Sequence, residues 1–184
     1  MKEKSEKRFH AWLNKLDVAH VFIHSEQYSF ARAFRRVTKR SDFIIFPDGK
    51  GPYCVDAKEK NLRSRPAFSE PVFEIDKYDV DKLGEFQRLY RMRVWLALTP
   101  DSKKDVWYFI DLFNVMRLPR RYHPGGKFVY VPVDEKAEYS ARRFHEFSGG
   151  KRNAVRGLFI NYLTTNSPEF LKSKATTGTV GSRL

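Results

Sequence analysis

Cysteine is almost missing from this chain of 184 residues: Cys54 stands alone. No internal disulfide can form, and one thiol beside three methionines gives no thiolate spacing for a metal. A reducing compartment is the expectation. Long apolar runs are missing too, since no segment approaches the roughly 20 residues needed to cross a bilayer. The charged start MKEKSEKRFHAW is followed by no apolar stretch of leader length, so the cytoplasm is the expected location and no membrane partner is expected. His10, His20, His24, His123 and His145 show neither metal-ligand spacing nor a nucleophile partner, which leaves them as surface or packing residues. There is no internal repeat.

Acid is scarce relative to base. Thirty-five Lys and Arg against twenty-two Asp and Glu give a net charge of +13, an excess that repels itself in a compact state and is better explained by a polyanionic partner. Nucleic acid is favoured, because 16 Phe and 9 Tyr accompany the basic residues and no basic amphipathic helix with a large apolar face stands out. The densest positive cluster is Arg32, Arg35, Arg36, Lys39 and Arg40, with no acid between them. Arg120 and Arg121, in the loop RLPRRYHPGGK, form the second. Arginine offers forked donors to phosphate, and each contact releases counterions. The bland alternative is a solvated charged face. Tyr28 and Phe30 could stack on unpaired bases or reach the core.

With 41% apolar residues the chain can bury a real core, and one domain over residues 1–164 followed by a flexible tail over 165–184 is expected. Phe9, Trp12, Leu13 and Leu16 recur at helical spacing in residues 3–16. VFIHSE, 21–26, reads as a strand. Residues 42–46 and 53–58 read as a hairpin around PDGKGP. A helix is expected from near Asp79 or Asp81 to about Arg93, with Leu83, Phe86 and Tyr90 inward. Strands are expected over 94–100, 106–111 and 127–133, and a last helix over 152–163. The fold class is α/β, a mixed central sheet flanked by helices.

Asp42, Asp56 and Lys58 interrupt the apolar hairpin. Residues two apart on a strand share a face, so Asp56 and Lys58 project together. If opposed residue numbers sum to 98 or 100, Asp42 joins them; a one-residue slip separates them. Adjacent carboxylates repel and call for a cation. Two Asp, waters and a substrate phosphate suit Mg²⁺, and a nearby lysine can orient water or stabilise phosphate charge. That combination describes phosphodiester hydrolysis.

Asp42 followed by Asp56-Ala57-Lys58 on the next strand resembles the signature of the PD-(D/E)XK nuclease superfamily, especially the branch similar to archaeal Holliday-junction resolvases. The resemblance covers about residues 3–100. It implies a restriction-endonuclease-like three-layer fold and a metal-dependent endonuclease acting on DNA rather than RNA, selective for junctions or branched DNA. It further implies Mg²⁺ or Mn²⁺ held by Asp42, Asp56 and the Ala57 carbonyl, Lys58 as the catalytic lysine, and Glu6 acting through a water of the ion's hydration shell. Gln87 is similar to a glutamine that some members place near the site, and many members act as homodimers. Ser41 stands where the signature has Pro, and the literal Pro47-Asp48 is ordinary turn chemistry.

Blander readings stand beside these. Asp42 could cap a strand start, Asp56 with Lys58 could be a solvated ion pair on an edge strand, and Glu6 could be an exposed first-turn acid. Gln87 could lie at the edge of the helical stripe, and Lys60 competes with Lys58 on the same face. Cys54 reads as a small buried hydrophobe. The rival function is a catalytically inactive DNA- or RNA-binding protein with the same fold.

Overall fold

The computed structural model describes residues 2–23, 39–46, 52–100, 106–133 and 142–144. In chain order these form α1 (Lys2–Lys15), β1 (His20–Phe22), β2 (Phe43–Ile45), β3 (Tyr53–Glu59), β4 (Leu62–Arg63) and β5 (Val72–Asp76). After them come α2 (Lys77–Tyr90), β6 (Val94–Thr99), β7 (Trp107–Asp111), α3 (Leu112–Met116), a 3₁₀ turn (Arg120–Tyr122), β8 (Phe128–Pro132) and β9 (Arg142–Phe144).

Among the described residues the main sheet has six strands in the order β1-β2-β3-β6-β7-β9, mixed because β3 and β6 run parallel while the other neighbours are antiparallel. The parallel pair requires a crossover, and α2 lies within it. Alternation along the strands divides the core. Phe43, Ile45, Val55, Ala57, Trp95, Ala97, Trp107 and Phe109 form one face, against the Phe9, Trp12, Leu13 and Leu16 stripe of α1. Phe9 is fully buried and meets the Phe43 ring edge-on at 5.1 Å. Each such burial is worth about 1.5–3 kcal/mol, far more than the propensity of a single turn of helix.

The opposite face, with Cys54, Leu96, Leu98, Tyr108 and Ile110, is covered by Val80, Leu83 and Phe86 of α2, by α3, and by Phe73, Val129 and Val131 of a small antiparallel sheet, β4-β5-β8. The expected α/β architecture of a mixed sheet flanked by helices is present, and its second flanking layer is part helix and part sheet. The strand expected over 127–133 therefore joins the small sheet and not the main one. Its partners were not anticipated, although Val72, Phe73 and Ile75 after Pro71 carry strand chemistry. Five residues between turns, three of them apolar, are too few for periodicity to separate from a loop.

The start of α2 differs as well. Asp76 caps it, accepting the Tyr78 N–H at 3.0 Å, so Asp79 is in the first turn and not at the cap. The helix ends at Tyr90 because Arg91 turns into the left-handed region at φ 52°. The helix expected over 152–163, the tail over 165–184, residues 47–51 of the turn, Tyr28 and Phe30 lie outside the described residues.

Candidate active site

The hairpin register has Phe43 opposite Val55, Ile44 opposite Cys54 and Ile45 opposite Tyr53, so opposed numbers sum to 98. Ile44 and Cys54 face α2, and by alternation Asp56 and Lys58 face the same way. Just before β2 the chain bends at Asp42. Its N–H donates to the Val55 carbonyl at 3.0 Å, and its own carbonyl accepts the Ile23 N–H at 2.8 Å. The bend leaves the Ala57 N–H without a ladder partner from β2, and Asp42 Oδ2 fills that place at 2.8 Å. Asp42 is thereby fixed beside Asp56 at the point where β2 and β3 part.

Strand β3 is an interior strand with β2 on one side and β6 on the other, so Asp56 and Lys58 are not a solvated edge pair. Asp56 is fully buried and Lys58 is 8% exposed. Lys58 Nζ stands 2.9 Å from Asp56 Oδ2 and donates to Asp79 Oδ2 at 2.8 Å. Lys39 Nζ lies 3.0 Å from Asp56 Oδ1 and 3.5 Å from Asp79 Oδ1. Two ammonium groups and two carboxylates thus interlock across three chain segments. Lys39, expected to contact phosphate, instead lies within this network. Asp79 is expected from the sequence only at the start of a helix, where an acid is ordinary chemistry; the crossover brings it to Lys58.

Burial, followed by the neighbouring Asp56, pushes the Asp42 carboxyl up from 3.8 to about 8; Glu6 acts in the same direction, while the Ala57 N–H and Lys39 oppose. Burial works against the charge on Lys58, but Asp56 and Asp79 outweigh it and hold the ammonium above its ordinary value. Helix α1 is tied to this end of the sheet by Ser5 Oγ, which donates to the Ala57 carbonyl at 3.3 Å, and by Arg8, which reaches Glu59 at 3.2 Å and donates to Thr99 Oγ1 at 3.3 Å. Those ties bring half-buried Glu6 within electrostatic reach of Asp42.

Four acidic side chains, Asp42, Asp56, Asp79 and Glu6, meet two lysines, Lys39 and Lys58, and a divalent cation there would favour release of the proton that burial holds on Asp42. Asp56 Oδ1 is buried and receives no aligned hydrogen bond, even with Lys39 close by. Among the described residues no three His, Cys, Asp or Glu side chains converge to hold a metal by themselves. The donor set that fits is two carboxylates and the Ala57 carbonyl, with the remaining positions taken by water or phosphate, which is the chemistry Mg²⁺ prefers.

Gln87 departs from its expected place at the site: its Oε1 accepts the Val94 N–H at 2.9 Å, fastening the start of β6. Lys60 follows the end of β3, and its side chain makes no ion pair among the described residues. Cys54 is fully buried, its Sγ 3.9 Å from Met92 Sδ. Arg40 is half-buried beside the acidic bend, while Arg120 and Arg121 are exposed on the 3₁₀ turn, where they line a cavity with His123, Pro124 and Gly125. Arg32, Arg35 and Arg36 lie outside the described residues. No helix among the described residues is long and apolar enough to cross a membrane.

No family model and no curated protein matches this chain. Among solved structures it is similar to Hjc, a Holliday junction resolvase of the archaeal hyperthermophile Archaeoglobus fulgidus, at 13% identity and a TM-score of 0.46, over 71% of this chain and 87% of the other. It is also similar to D212, a nuclease from a fusselovirus, at 17% identity and a TM-score of 0.38, over 84% of this chain and 86% of the other.

Proposed function

We propose that this protein is a metal-dependent nuclease that hydrolyses phosphodiester bonds of DNA. The observation that carries the reading is the convergence of Asp42, bonded to the Ala57 N–H at 2.8 Å, with buried Asp56 and with Lys58 at 2.9 Å from it, in a chain of net charge +13. Asp42, Asp56 and the Ala57 carbonyl would hold Mg²⁺ or Mn²⁺, which when bound supplies Lewis-acid charge to the scissile phosphate. Lys58, kept as an ammonium, donates to the phosphate oxygen on which charge develops and is not the base. Glu6 accepts a proton from the attacking water. Arg120 and Arg121, and beyond the described residues Arg32, Arg35 and Arg36, contact the DNA backbone.

Selectivity for branched DNA and action as a homodimer rest on the sequence resemblance and belong to the same proposal. Cleavage of plasmid and four-way-junction DNA with Mg²⁺ or Mn²⁺ tests it. Asp42→Ala, Asp56→Ala and Lys58→Ala are expected to lose about 100-fold or more in rate while still binding DNA, and Lys60→Ala is expected to keep its activity. Protein that binds DNA and cuts no substrate with either metal overturns the reading.

A further inference from the structure

We infer that Asp79 is a positioning residue that aims Lys58 at the scissile phosphate, an inference that rests on the nuclease reading above. A lysine carries three N–H donors on a flexible four-carbon stem, so one acceptor leaves its ammonium free to swing. Asp56, on the same strand as Lys58, supplies one anchor at 2.9 Å. Asp79 supplies the second at 2.8 Å from a different element, the first turn of α2, whose start is fixed independently by the Asp76 cap. The ion pair to Asp56 and the hydrogen bond to Asp79, from different elements, restrict where the ammonium stands and leave N–H donors for a substrate oxygen. Lys39 Nζ, 3.5 Å from Asp79 Oδ1, braces the other oxygen of the same carboxylate. Lys60, without such anchors, stays outside.

The test is a double-mutant cycle on single-turnover cleavage of plasmid DNA, with DNA affinity measured separately in EDTA. Asp79→Asn is expected to slow cleavage about 10- to 100-fold with unchanged affinity, the range typical of residues that orient a reacting group. In a Lys58→Ala background the same substitution is expected to change nothing further, because its only route to the reaction has gone. An unaltered rate in Asp79→Asn, or an equal fractional loss in both backgrounds, overturns the inference. If Asp79→Asn unfolds, Asp79→Ser takes its place in the cycle. A further measurement does not need catalysis: the ¹⁵Nζ signal of Lys58 is expected to be protected from exchange in the wild-type protein and lost without Asp79, and protection that survives the loss of Asp79 overturns the inference. Should the wild-type protein cut nothing, the nuclease reading fails, while this signal still reports whether Asp79 holds Lys58.

Discussion

Asp42 Oδ2 accepts the main-chain N–H of Ala57 at 2.8 Å, joining a residue just before β2 to the residue between Asp56 and Lys58 on β3. This bond sets the carboxyl among buried groups, and its proton equilibrium follows from that setting.

Because burial and Asp56 raise the Asp42 carboxyl from 3.8 to about 8, the folded protein holds a proton that the unfolded chain has released between those values. Stability therefore falls as pH rises through that window. In EDTA the unfolding free energy from urea titration is expected to decline from about pH 4 to pH 8, by an amount on the order of a few kcal/mol, and the midpoint with it. Asp42→Asn is expected to flatten that decline, and added Mn²⁺ to oppose it at pH 8. A midpoint independent of pH in the wild-type protein would count against the packing of this acid.

Gln87 accepts the Val94 N–H at 2.9 Å and so fastens the start of β6. Gln87→Leu leaves the Val94 N–H unpaired at the start of β6, a loss of about 1–3 kcal/mol by denaturant titration. Single-turnover cleavage under stabilising conditions is expected to remain within twofold of wild type.

Arg93 Nε donates to Asp111 Oδ2 at 2.7 Å, and the guanidinium covers the Trp95 ring at 5.1 Å. Asp111 is fully buried, and burial raises its carboxyl pKa against the pull of Arg93. Arg93→Ala is expected to cost about 3–5 kcal/mol, since it leaves a buried carboxylate without its partner. The double variant Arg93→Met with Asp111→Asn is expected to cost much less, as equilibrium unfolding would reveal.

Arg120 is exposed on the 3₁₀ turn. As a phosphate contact it contributes about one unit to the slope of log affinity against log salt, so Arg120→Ala is expected to lower that slope by about 1 and to weaken binding evenly across DNA sequences. Fluorescence anisotropy over a salt series measures this, and an unchanged slope removes Arg120 from the interface.

Much of the site was legible because strand alternation is strict: once β2 and β3 are antiparallel with numbers summing to 98, Asp56 and Lys58 have one face available to them. The α1 stripe was legible for a similar reason, since Phe9, Trp12, Leu13 and Leu16 repeat at the helical period. Short segments were harder. Val72–Asp76 gained its place by pairing with Phe128–Pro132, a partner far along the chain that no local pattern announces.

The sequence by itself determined the charge imbalance, the apolar stripe of α1 and the acid-acid-lysine spacing, because composition and periodicity are local properties. Only the tertiary structure decided that β3 lies inside the sheet, that Lys39 and Asp79 close around Asp56 and Lys58, and that Gln87 fastens β6. Those contacts join residues whose separation is bridged by a bend at Asp42 and by the crossover through α2, and distance in space is set there by packing, not by order along the chain.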